Sequence, residues 1–449
     1  MQLKRTSFNV IILTQLFFVT LLMFQLAGCT SFGKGVVQGL LEKNEEQDTR
    51  VCQIRGKAFD GLQTSLLNKQ KKTKVLMIHG VGDHTPGYAT QFLEKLARDL
   101  SLDSRLGNYK EIQLRSANSD NLGSLRIAHL FNAEDGRELY FYELTWSEIT
   151  REEKALLAFD NSGDYSFRRA KINNMLKTFA NDTGPDPIIY LGKSHDLILA
   201  AFSQSFCWML ISDWDNLPEN GEHICLGVSE TNIEHLQQDE YVFVSHSLGS
   251  RITIDGLQRI ARLLANPETF IRSGEKLIQK RQSRELITKA GKKVTLSNKA
   301  IDALRQKRIK IFMLSNQLPM LQLGRELPEI TGQQANYCTP DAPNYAERML
   351  SETEIIAFSD PNDLLSYAIP PGFSEKYLDS RLCPSVTNIN INIANVADLF
   401  GISDLANPLE AHVGYDSDDR VVALIARGLG NEHTAELIKE RCEWTKITE

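Results

Sequence analysis

The sequence predicts an α/β protein: a mostly parallel central sheet flanked by helices, with helical insertions. Short apolar runs alternate with longer segments of helical pattern, which is the order expected of strands joined by helical crossovers. The 449 residues suffice for one large α/β domain with insertions, or for two or three average domains. Hydrophobic residues make up 42% and charged residues 24%, a balance that favours a packed core over general disorder.

In chain order, Lys4 and Arg5 precede a mostly apolar stretch, residues 8–26, that ends in Leu26-Ala27-Gly28-Cys29. This resembles a bacterial lipoprotein signal, residues 1–29. The resemblance implies cleavage before Cys29, a diacylglycerol on its thiol and an acyl chain on its freed amine. The competing reading is an uncleaved membrane anchor, which Thr14, Thr20 and Gln25 weaken. Either way the expected partner is a membrane. Thr30 in place of an aspartate implies, by the same resemblance, the outer membrane, facing the periplasm. Residues 30–50 are polar and form a tether. The body is 51–449, with insertions near 147–238 and 266–307.

Within the body, strands are expected at 74–79, 138–145, 241–245, 308–314, 354–358 and 386–393, and helices at 88–100, 250–264 and 421–428. The apolar piece 187–211 is expected to be a buried core helix, with a lid as the alternative. Residues 266–307 carry mixed charges and are expected to form an exposed helical excursion. Lys and Arg total 50 against 57 Asp and Glu, a net charge of -7, which argues against nucleic acid as a partner. Beyond Cys29 there remain Cys52, Cys207, Cys225, Cys338, Cys383 and Cys442: up to three disulfides, or six buried thiols, with the pairing open. No Cys/His cluster has zinc spacing, so no metal is expected.

The chemistry lies in two strings. The apolar run 241–244 ends in Ser245-His246-Ser247-Leu248-Gly249, followed by a helical pattern. A nucleophile on a tight strand-to-helix turn needs small residues two before and two after it, and Ser245 and Gly249 satisfy this. Upstream, a second apolar run ends in His79-Gly80-Val81-Gly82-Asp83-His84, where Gly80 and Gly82 allow a close turn. His79 and His84 are expected to shape this loop rather than act as bases. The alternative is an ordinary glycine turn.

A serine needs a base. The two strings resemble those of the α/β-hydrolases, whose chain order of serine, acid and histidine implies a base after Ser247, where only His412 and His433 lie. His412 precedes the helix at 421–428; His433 lies in a polar segment beyond it and is expected at the surface. The same resemblance implies an acid after strand 354–358, where Asp363 matches the family's pattern and Asp360, suited to a turn before Pro361, is the alternative.

These pieces resemble the α/β-hydrolases, lipase- and esterase-like, over about residues 74–428. Ser245 in place of the first glycine of Gly-x-Ser-x-Gly, and the long segment before the nucleophile strand, depart from the family pattern. The resemblance implies an α/β-hydrolase fold with Ser247 as nucleophile, His412 as base and Asp363 as the acid that orients it. It also implies an oxyanion hole from the Val81 and Leu248 amides and no cofactor. The expected activity is hydrolysis of a carboxylic ester, a lipid or another acyl ester, through an acyl-enzyme. The alternatives are a non-catalytic binding scaffold, or a thioesterase, peptidase or acyltransferase with the same triad. The sequence names no protein partner.

Overall fold

A computed structural model describes residues 50–103, 109–116, 118–159, 170–230, 233–265, 276–279, 283–287, 293–399 and 403–447. The signal segment, Cys29 and most of the tether lie outside the described residues. The chain divides into two compact units. Residues 50–159 and 182–449 form the body; residues 1–49 and 160–181 form the other unit, of which residues 170–181 are described.

Eleven strands form one sheet in the body: β1 (Cys52–Gly56), β2 (Thr73–Ile78), β3 (Tyr109–Arg115), β4 (Asn121–Phe131), β5 (Glu138–Thr145), β6 (Asn220–His223), β7 (Glu240–His246), β8 (Arg308–Leu314), β9 (Glu352–Ser359), β10 (Pro384–Ile391) and β11 (Cys442–Lys446). Their spatial order is β11-β1-β10-β9-β8-β7-β2-β5-β4-β3-β6. The six central strands, from β10 to β5, are mutually parallel. Strand β4 runs antiparallel to β5, and β1 antiparallel to β10.

Strands β2, β7, β8 and β9 each carry an apolar run because both faces of the sheet are covered. Alternate residues serve opposite faces: Leu76 and Ile78 pack in one core, Val75 and Met77 in the other. Helices α1 (Thr90–Asp99) and α5 (Asp419–Arg427) cover the second face, and α2 (His195–Ile211) and α3 (Leu248–Ala265) the first. All six expected strands and all three expected helices are present, with ends displaced by a few residues.

Of the piece 187–211, His195–Ile211 is a core helix, while the preceding helix Pro185–Leu191 is separate and leaves Ile188 and Leu191 exposed. Helix α2 stacks Phe202 on Phe243 of β7 at 5.6 Å between ring centroids. Gly256 of α3 lets the two helices approach, since a Cβ there would overlap the Phe202 ring. The expectation of a helical excursion at 266–307 is corrected. Lys276–Gln279, Ser283–Ile287 and Lys293–Ser297 are antiparallel strands, with Gly227–Val228 added in parallel, and among the described residues of this stretch only Asn298–Arg305 is helical. Val294 and Leu296 alternate with Lys293, Thr295 and Ser297, a period of two that the density of charge hides.

The six cysteines of the body pair as Cys52–Cys442, Cys207–Cys225 and Cys338–Cys383. Among the described residues no helix is long and apolar enough to cross a membrane.

Candidate active site

Strand β7 delivers Ser247 to the C-terminal edge of the parallel strands, where the chain turns sharply into α3. Ser247 has φ +54°, an uncommon conformation for a residue with a Cβ, and is fully buried. Its backbone is held on both sides. The amide donates to the Leu314 carbonyl (2.9 Å), and the Ser247 carbonyl accepts from Ser250 N (3.0 Å) and Ser250 Oγ (2.7 Å). Leu248 opens α3, so the helix offers its amide no acceptor, and the positive end of an 18-residue helix faces this corner.

The glycine loop after β2 lies directly against this turn. A Cβ on Gly80 would sit 2.6 Å from Ser247 Cβ, and one on Gly249 would sit 2.8 Å from the His79 carbonyl oxygen. Both positions therefore require glycine for close approach. Gly82 (φ +98°) donates its amide to Asp186 Oδ2 at 2.7 Å, which commits that donor and leaves Val81 as the loop's candidate donor toward Ser247.

His79 shapes this loop as expected. Its Nε2 accepts from Trp146 N (3.1 Å), so the proton sits on Nδ1 and is donated to the Gly80 carbonyl (2.8 Å). The ring is sandwiched between Trp146 and His84. Burial, then the neighbouring His84, pushes its pKa well below the usual value, because a second proton would face the Trp146 N–H. His84 bonds Gly82 O through Nδ1 (3.0 Å) and is likewise lowered by burial.

His412 lies on the short helix α4 (Pro408–Val413), not on a loop, because Asn407 caps the amides of Leu409 and Glu410 and Pro408 begins the first turn. (α4 precedes α5 in the chain.) His412 Nδ1 is 2.9 Å from Asp363 Oδ1 and 3.1 Å from Oδ2. Burial raises the Asp363 pKa, but the His412 ring, the Ser315 hydroxyl and the Leu365 amide outweigh it and hold the carboxyl below its usual value. Asp360 instead ties loops together, accepting from Asn362 N at Oδ1 (2.6 Å) and from Ile393 N (2.5 Å) and Ala394 N (3.2 Å) at Oδ2. His433 is half-buried rather than exposed, with its ring beside Glu432, and takes no part in this cluster.

The serine and histidine converge through the residue between Ser245 and Ser247. His246 Nε2 donates to the His412 carbonyl (2.8 Å), and the two rings are 5.2 Å apart. Among the described residues, Ser247 Oγ and His412 Nε2 are both buried and neither has a hydrogen-bond partner.

Sequence reasoning missed Ser315. It follows β8 with φ +49°, its hydroxyl donates to Asp363 Oδ2 (2.7 Å), and it lies 2.9 Å from His412 Nδ1. The available signal was a polar residue immediately after an apolar strand, at the edge where the other site residues emerge. Lys154 and Asp186, which grip the glycine loop, carry no such local signal.

Two other features lie apart from this cluster. A cavity of about 690 Å³ is lined by Leu199, Arg251, Asp255, Gln258 and Arg325, among others, and by none of Ser247, Asp363 or His412. Asp213, His235 and Asp239 form a group of metal-ligand type, but ammonium groups already serve its carboxylates: Lys74 lies 2.8 Å from Asp239 and Lys72 3.1 Å from Asp213.

Burial, followed by the nearby His412, pushes the His246 pKa down to about 3. His79, His84 and His246 thus refuse, when folded, protons that the unfolded chain accepts below about pH 6.5. Glu354, raised by burial to about 6, acts in the opposite sense. His246→Gln, which keeps a donor for the His412 carbonyl, should therefore flatten the fall in melting temperature between pH 7 and pH 5. An unchanged slope would exclude a depressed His246.

Comparison with known proteins returns no match: no family model, no curated protein and no solved structure.

Proposed function

We propose that this chain is a serine hydrolase with the α/β-hydrolase fold, cleaving a carboxylic ester of a lipid or other acyl compound through an acyl-enzyme on Ser247. The observation that carries this reading is the His412–Asp363 pair set beside the Ser247 turn. His412 has one nitrogen on the Asp363 carboxylate and its other nitrogen buried and unpaired, beside the turn that holds an equally unpaired Ser247 hydroxyl.

In this mechanism Ser247 Oγ attacks the acyl carbonyl while His412 Nε2 removes its proton. Asp363 fixes the histidine tautomer and stabilises the imidazolium without taking the proton. The Leu248 and Val81 amides receive the developing oxyanion, in a corner already favoured by the α3 dipole; one such donor is worth about 3 kcal/mol in the transition state. His412 returns the proton to the leaving alcohol, then activates the water that releases the acid.

Exposed apolar side chains next to the site residues support an acyl or lipid substrate: Leu364, Leu365 and Tyr367 follow Asp363, and Leu409 and Val413 flank His412. Attachment through a lipidated Cys29 to the outer membrane, facing the periplasm, belongs to the same proposal, and three disulfides suit an oxidising compartment. The test is a fluorophosphonate probe on the chain from residue 30 onward. The wild type should label and Ser247→Ala should not. A folded wild type that does not label would favour the scaffold reading, and labelling that survives Ser247→Ala would move the nucleophile elsewhere.

A further inference from the structure

The Val81 amide can receive an oxyanion only if its peptide plane points at Ser247. In a trans peptide the N–H and C=O point in opposite directions. The Gly80 carbonyl accepts from His79 Nδ1, so the Val81 N–H, in the same plane, points away from the His79 ring. The next plane is fixed at its other end, where the Gly82 N–H donates to Asp186 Oδ2 at 2.7 Å. Val81 is thus held between two pinned planes, one by a histidine adjacent in the chain and the other by a carboxylate 104 residues away.

Asp186 is completely buried, in the first turn of the helix Pro185–Leu191. Lys154, itself only 7% exposed, lies 2.9 Å from the same Oδ2 atom and 2.9 Å from Asp83 Oδ1, while Asp182 Oδ1 accepts from Asp83 N (3.2 Å). Three carboxylates therefore share one ammonium along the loop. Asp83 and Asp182 are each nearly half exposed, so water substitutes readily for either. Water does not reach Asp186, and its loss leaves the Gly82 amide without its acceptor.

We propose that Asp186, with Lys154 as its counter-ion, is a positioning residue for the oxyanion loop: by holding the Gly82 amide it aims the Val81 amide at the reacting carbonyl. This rests on the reading of Ser247 as the nucleophile. Asp186 touches neither the triad nor the reacting atoms, so its effect on the reaction passes through the Gly82 amide.

The experiment compares Asp186→Ala with Asp186→Asn, which keeps a carbonyl oxygen opposite the Gly82 N–H. Turnover of a p-nitrophenyl ester and inactivation by a fluorophosphonate are measured per titrated active site, alongside melting temperature. Removing an oxyanion donor costs about 10²- to 10³-fold in kcat, and misaiming one should cost about 10- to 100-fold. Asp186→Ala should lose that much in both kcat and inactivation rate with KM changed by less than about two-fold, and Asp186→Asn should recover most of it. A merely structural role would lower the melting temperature of both variants and leave the rate per titrated site unchanged, which overturns the inference. So would an Asn variant as slow as the Ala variant. A wild type that fails to label overturns the Ser247 reading and this inference together; a labelled wild type matched in rate by Asp186→Ala overturns this inference alone.

Discussion

His412→Ala should lower kcat for a p-nitrophenyl ester by about 10⁴- to 10⁶-fold, comparable to Ser247→Ala, with KM little changed, because both remove the same proton transfer. Besides His412, His79 and His246 border the Ser247 turn, and both are disqualified by their bonds. Both nitrogens of His79 are engaged, one by the Trp146 amide and one by the Gly80 carbonyl. His246 is tied to the His412 carbonyl and, with a pKa of about 3, makes a feeble base at neutral pH. His412 alone combines a carboxylate on Nδ1 with an unpaired Nε2. Steady-state rates and fluorophosphonate labelling of the variant check this. Retention of a tenth of wild-type activity would transfer the base role to another group.

Asp363→Asn should cost about 10⁴-fold in kcat while the fold persists, because an amide in this position favours the wrong histidine tautomer. The Ser315 hydroxyl adds to the effect: it donates to Asp363 Oδ2, and an amide nitrogen placed there would meet that donor instead of accepting from it. Asp360→Asn provides the contrast. Its carboxylate serves the amides of Asn362, Ile393 and Ala394, so the substitution should reduce stability by about 1–3 kcal/mol and change kcat by less than about ten-fold. Kinetics and denaturant midpoints on both variants decide between the two carboxylates; the opposite pattern would make Asp360 the acid.

The parts of the molecule legible in the sequence are those whose cause is local. Strands β2, β7, β8 and β9 announce themselves because burial on both faces leaves little room for polar residues. The β3–β4 hairpin was missed because Lys110, Glu111, Gln113, Ser124, Arg126 and His129 interrupt its pattern, and Lys110 is buried by directing its ammonium to the carbonyls of Trp214 and Leu217 and to Glu219. Strand β1 and the edge strand β11 beside it are short and carry exposed polar residues at alternate positions.

The site divides in the same way. The Ser247 turn and the Gly80 loop are steric signatures written in five or six consecutive residues. Asp363 and His412 were reached from chain order and from their places after strands. Ser315 and Asp186 act through partners 48 and 104 positions away, a relation that only the folded chain creates.

Cys52 and Cys442 are register partners on β1 and β11 as well as a disulfide, and β1 also leans on β10. This edge is therefore assembled from the beginning and the end of the body, 390 positions apart. The covalent link closes a loop around almost the whole body, so the chain keeps its first and last strands together even when unfolded. Once the bond is made, a pull on the leading segment passes straight into the trailing strand, and the edge resists being unzipped from either terminus.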